Sequence, residues 1–111
     1  MYFLQPTESL IRAQEDDIVR EVTVGDLLRE VAVERASATA LLEVEMEGQT
    51  GRSWTYSELL SDSEQLALSL ASRYSQGVRI TVWAPHVPEW LLIEYACAMA
   101  GIVLVIANHS Y

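Results

Sequence analysis

Few residues in this chain are equipped for chemistry, and their types limit what that chemistry is. His86 and His109 are the two imidazoles, Cys97 is the one thiol, and all seven basic residues are arginines. Without lysine the chain has no Schiff-base nucleophile, no Walker-type phosphate loop and no ammonium to hold a transferring acyl-phosphate. His86 and His109 stand too far apart in sequence for a local metal pair, and one cysteine completes no zinc pattern. No Gly-x-Ser-x-Gly elbow marks a serine as a nucleophile. His86 sits between Pro85 and Pro88, where a strand is expected to end, a place where parallel-sheet proteins bind ligands. A ligand or acid–base role is one reading of it, and a loop or capping histidine is the stronger one. Glu43, Glu45 and Glu47 alternate along one strand face and read as a solvated face rather than a cation site. Trp54, Trp83 and Trp90 read as core packing rather than a ligand box. Cys97 lies in an apolar stretch and reads as a buried, inert thiol. On residue types and spacing, no catalytic, cofactor-binding or metal-ligating residue is assigned.

The elements that position these groups follow from composition and periodicity. A length of 111 residues, half of them hydrophobic, suits one domain at most. Sixteen acidic residues against seven arginines leave a net charge of −9, which argues against nucleic acid or an anionic membrane as partner. One cysteine fits a reducing cytoplasm. Met1 to Pro6 shows neither the basic start nor the apolar run of a secretory signal. Trp90 to Ala107 is of membrane-spanning length, but it contains Glu94 and is flanked by no basic anchor. Gly101 also divides it into a helix-forming half and a β-branched half, so helix, stop and buried strand is the expected reading.

Residues 1–22 are expected to be an irregular lead-in. Thr23, with Asp26 three residues on, opens a helix to about Arg35, with Val24, Leu27, Leu28 and Val31 as its apolar stripe. Ala40 to Glu47 reads as a strand that buries Leu42, Val44 and Met46. A turn at 48–51 lets Arg52 to Trp54 pair back as a hairpin. Thr55 and Glu58 form a capping box for a helix whose face runs through Leu59, Leu60, Leu66, Ala67, Leu70, Ala71 and Tyr74. Strand 79–84 (burying Ile80, Val82 and Trp83), helix 88–100 with Pro88 at its first position, and strand 102–106 make a βαβ unit, expected to be right-handed and parallel. The fold class is therefore α/β, a three-helix, mixed-sheet piece with that unit at 79–106.

Four segments in order carry a resemblance: Thr23-Val-Gly-Asp-Leu-Leu28, Trp54-Thr-Tyr-Ser-Glu-Leu59, Val82-Trp-Ala-Pro-His-Val-Pro-Glu-Trp90, and Ala100-Gly101 through Asn108 to Tyr111. Together they resemble the opening of the adenylate-forming enzymes, the AMP-binding acyl-CoA synthetases and their relatives. Thr55-Tyr56-x-Glu58-Leu59 resembles the family's first core motif, and Ala100-Gly101 through Asn108 and Tyr111 its second. The wording of the second favours the fatty-acyl or short-acyl CoA branch. The departures are His86 where Asn is common, Ile106 and His109 where Pro is often found, and Val78 after Gly77 where Asp is typical.

The resemblance implies that residues 23–111 are a partial AMP-binding N-terminal domain. For the full-length family it implies a ligase that uses ATP, Mg²⁺ and CoA to convert a carboxylic acid to acyl-CoA, AMP and pyrophosphate. The family's Thr/Ser/Gly-rich loop ending in Lys, its ribose-binding Asp and its C-terminal lysine all lie beyond its second motif. None of those residues maps onto this chain. The expectation is thus a truncated synthetase, binding no cofactor and inactive alone, cytoplasmic and without a membrane span. The alternatives are a subunit of a split ligase, partnered by a polypeptide carrying the C-terminal regions, and a non-catalytic acidic α/β interaction module.

Overall fold

The computed structural model describes Glu15 and residues 18–110. Most of the expected lead-in, and Tyr111 of the last motif, lie outside the described residues. Residues 18–22 carry no regular structure. The elements in chain order are α1 (Val24–Glu34), β1 (Thr39–Val44), β2 (Thr50–Thr55), α2 (Tyr56–Ala71), β3 (Arg79–Trp83), α3 (Glu89–Ala100) and β4 (Val103–Ala107). Parallel and antiparallel pairing both occur, but in two separate two-stranded sheets: β1 with β2 antiparallel, β3 with β4 parallel.

The helices begin where side chains can satisfy their first-turn amides. The Thr23 hydroxyl accepts from the Asp26 N–H at 3.1 Å. At α2 the capping box is complete: Glu58 N–H donates to Thr55 Oγ1 at 3.2 Å, and Thr55 N–H donates to Glu58 Oε2 at 2.8 Å. Such reciprocal pairing answers two amides that the helix itself leaves unbonded. Gly101 closes α3 at φ 68°, a left-handed conformation that costs glycine nothing. Directly after it, Ile102 N–H donates to the Cys97 carbonyl at 2.9 Å.

The core is a helical layer in which α2 and α3 pack against each other and α1 packs on both. Its buried apolar residues include Leu28, Ala32, Leu59, Ala67, Ala96 and Cys97, joined by Ile102 at the edge of β4. Gly25 faces α3 closely enough that a Cβ there would meet Met99 Cγ at 2.9 Å. Among the described residues, buried Ser63 on α2 has no hydrogen-bond partner for its hydroxyl, so it acts in packing as a small residue.

Several expectations are corrected. The buried face of α1 runs through Gly25, Leu28 and Ala32, while Val24 and Leu27 of the expected stripe are exposed. In β1 the alternation holds but the faces are exchanged: Leu42 and Val44 are exposed, and Leu41 and Glu43 are half-buried, while Met46 lies in the turn after the strand's end at Val44 and is exposed. Irregularities in the ladder at Thr39/Leu41 and Leu42/Val44 break the simple two-residue period, and an ion pair allows Glu43 to sit inward. α2 ends at Ala71, so Tyr74 falls beyond it and is exposed. Pro88 occupies the cap of α3 rather than its first position. Trp83, expected in the core, is 68% exposed. Among the described residues no helix is long and apolar enough to cross a membrane.

Candidate functional site

The parallel register of β3 and β4 decides where the chemistry-bearing residues meet. Arg79 pairs with Val103, and the strands stay in step to Trp83 and Ala107. The connection before each strand is tied as well: Gly77 N–H donates to the Gly101 carbonyl at 2.8 Å, and Val103 N–H to the Val78 carbonyl at 2.9 Å. Both strands therefore finish at the same level. The next residues of each chain segment, Ala84 to Pro88 and Asn108 to Ser110, form one rim.

His86 and His109 meet on that rim. Their ring centroids are 5.8 Å apart with an interplanar angle of 85°, an edge-to-face contact. The sequence expectation that they lie too far apart holds only along the chain. In space the parallel pairing cancels the separation. Two further contacts fix the loops. Trp90 Nε1–H donates to the Pro85 carbonyl at 2.7 Å, and Ser110 N–H donates to Asn108 Oδ1 at 2.9 Å. Beside the pair lies a groove of about 400 Å³ whose walls include Trp90, Glu94, Ile106 and Asn108. A second groove of about 470 Å³, between β1 and the start of α3, shares His86, Trp90 and Glu94 with it.

A charge cluster that the sequence did not announce includes Glu43 of the second groove. Arg52 on β2 bonds Glu43 on β1 through Nε at 2.9 Å and Nη2 at 3.1 Å, and reaches Glu89 at the start of α3. Arg52 also lies over the Trp54 ring, 5.4 Å from its centroid. The hydrogen bonds from Arg52 hold both the Glu43 and the Glu89 carboxyl below their ordinary value. The same two carboxylates raise the Arg52 guanidinium. These three residues fasten the hairpin to the βαβ unit. No local pattern could have revealed this, because Arg52 and Glu89 are separated by 37 positions. Elsewhere Arg29 is held by Glu64 and Asp26, and Arg20 by Glu30.

This donor set does not fit a nucleoside triphosphate. Glu43 and Glu94 line the second groove, and the Arg52 guanidinium bonded to Glu43 also holds Glu89. The left-handed glycines at 48, 77 and 101 are isolated turn residues rather than consecutive amides that could cradle a phosphate. Among the described residues no group of three or more His, Cys, Asp or Glu is arranged to hold a metal ion. Cys97 is buried, and desolvation raises its thiol above the ordinary value, which keeps it protonated and unreactive. Trp54 and Trp90 are half-buried and hydrogen-bonded through their indole nitrogens, so they serve packing and loop anchoring.

Comparisons with known proteins agree with this architecture. A family model described as AMP-binding enzyme matches residues 28–111. The acyl-CoA ligase SID4 of Ajellomyces capsulatus is 33% identical over 92 residues, covering 82% of this chain and 15% of that protein. The mitochondrial medium-chain acyl-CoA ligase ACSF2 of Danio rerio is 39% identical over 64 residues, covering 57% of this chain and 11% of that protein. The chain thus spans a small part of the length of the curated relatives it matches. In fold, it resembles the acetoacetyl-CoA synthetase of Streptomyces lividans, with a TM-score of 0.74 at 22% identity over 81% of this chain and 14% of that one. It also resembles the N-terminal subdomain of Klebsiella oxytoca NpsA, with a TM-score of 0.70 at 23% identity over 80% of this chain and 22% of that one. Matched over most of its length by the family model, the chain belongs to the AMP-binding enzymes.

Proposed function

We propose that this chain is the opening part of the N-terminal domain of an acyl-CoA synthetase, and that residues 23–111 contribute scaffold rather than catalytic groups. The full reaction joins a carboxylic acid to coenzyme A. The carboxylate attacks the α-phosphate of ATP and releases pyrophosphate, and the CoA thiol then displaces AMP. The observation that carries the reading is the match of residues 28–111 to the family, combined with an Arg52 guanidinium already held by two carboxylates. On this reading the chain alone binds no cofactor, is inactive alone and resides in the cytoplasm, where a lone thiol stays reduced. Purified chain, assayed for ATP–pyrophosphate exchange across short, medium and long fatty acids, is expected to give background rates. Acid-dependent exchange by the chain alone would overturn the proposal.

A second reading, a subunit of a split ligase, is favoured by one feature. Trp83, Val103 and Val105 share one face of the parallel sheet and are left 68%, 46% and 40% exposed, an apolar surface of the kind a partner covers. Under this reading, a polypeptide carrying the remaining regions of the family should form a stable complex with the chain and restore exchange. Absence of both association and activity in purified mixtures would eliminate it.

A further inference from the structure

We propose that His86 and His109 form a two-imidazole site for a divalent transition ion of the class that imidazole favours, Cu²⁺, Ni²⁺ or Zn²⁺. The inference rests on the strand-end geometry and is independent of the synthetase reading. An ion about 2.0–2.1 Å from one nitrogen of each ring would place the ring centroids about 5 Å apart at a tetrahedral angle. The observed centroids are 5.8 Å apart, so modest rotation of two exposed side chains closes the difference.

The rings are not brought together by chance of two floppy loops. The in-step pairing of β3 and β4 sets the height of both loops, the Trp90 indole pins the Pro85 carbonyl before His86, and the Asn108 side chain pins the turn around His109. Glu94 lines the same groove, and the chain carries a net charge of −9, so the local field draws cations. Two nitrogen donors select against Mg²⁺ and Ca²⁺, which take oxygen ligands. No third protein ligand is arranged with them among the described residues, so the remaining coordination positions belong to water. The bound ion would bridge the ends of β3 and β4 and resist their separation.

The chain contains no other histidine, which makes the test clean. The full chain, freed of any histidine tag, is titrated with CuCl₂, NiCl₂ and ZnCl₂ by calorimetry. Saturation at one ion per chain is expected, tightest for Cu²⁺, with a higher melting midpoint in its presence. His86→Asn and His109→Asn should each weaken binding at least tenfold and abolish the thermal shift. The electron paramagnetic resonance spectrum of the Cu²⁺ complex of the unaltered chain should show two nitrogen ligands, a readout that does not depend on whether a variant folds. Sedimentation should show a monomer with the ion bound. The proposal is overturned by no saturable binding, by affinity that survives either substitution, by fewer than two coordinating nitrogens, or by an ion that pairs two chains instead.

Discussion

The helical layer and the two sheets draw on equally apolar residues and place them in opposite surroundings. Leu59 and Ala96 lie between helices at 2% and 0% exposure, whereas Trp83, Ile106 and Val44 on the strands face outward. The difference lies in what each element has to pack against. Three helices can cover one another's apolar stripes, because each is flanked by the other two. A two-stranded sheet has two faces, and here the helices cover at most one of them. The layer that is complete supplies stability. The surfaces that are not covered frame the grooves at the strand ends.

The sharpest way to break this contrast is to attack the complete layer. Leu59→Ala should cost about 2–5 kcal/mol, the range for a buried leucine whose cavity cannot fully collapse. Urea unfolding followed by circular dichroism measures it, and a cost below 1 kcal/mol would show that the helical layer is not the core. A smaller effect tests the start of α2. Thr55→Ala removes the hydroxyl half of the capping box and should cost about 1 kcal/mol in the same experiment. The opposite end of the comparison is Trp83→Ser. Because its indole is already largely in water, the substitution should change unfolding free energy by no more than about 0.5 kcal/mol. A loss as large as that of Leu59→Ala would mean that the sheet face is covered in solution.

The smallest effect concerns the fastening between hairpin and βαβ unit. Glu43 and Glu89 have folded pKa values depressed below their ordinary value of 4.5, so the unfolded chain binds more protons in that range. Their contribution is present above that value and is lost as pH falls through the depressed folded values. The unfolding midpoint should therefore drop slightly as pH falls from 5 toward 3. Arg52→Gln should flatten the part of that dependence owed to these two carboxylates. The effect is small because the pair is exposed to solvent, and added salt should shrink it further.

Much of the fold was legible because it is written in local signals. Thr23, the Thr55–Glu58 box and Gly101 each mark an element boundary through a hydrogen bond or a backbone conformation that depends on a few neighbouring residues. The βαβ order at 79–106 was legible for the same reason, with Gly101 separating helix formers from β-branched residues. What was not legible depends on distant partners. Alternation in β1 showed that two faces differ but not which one meets the helices. Leu41 and Leu42 are equally apolar neighbours, and the choice fell to ladder irregularities and to Arg52, which allows Glu43 inward. Trp83 reads as core by type, yet on its side of β3 it is 68% exposed. The meeting of His86 with His109 follows from the strand register alone, which no spacing along the chain encodes.

On the function proposed above, this chain builds the frame of an adenylate-forming domain while the grip for the triphosphate lies elsewhere. Isothermal titration of the purified chain with magnesium-ATP tests it most directly. No saturable heat is expected at millimolar nucleotide, and stoichiometric binding at micromolar affinity by the chain alone would contradict the proposal.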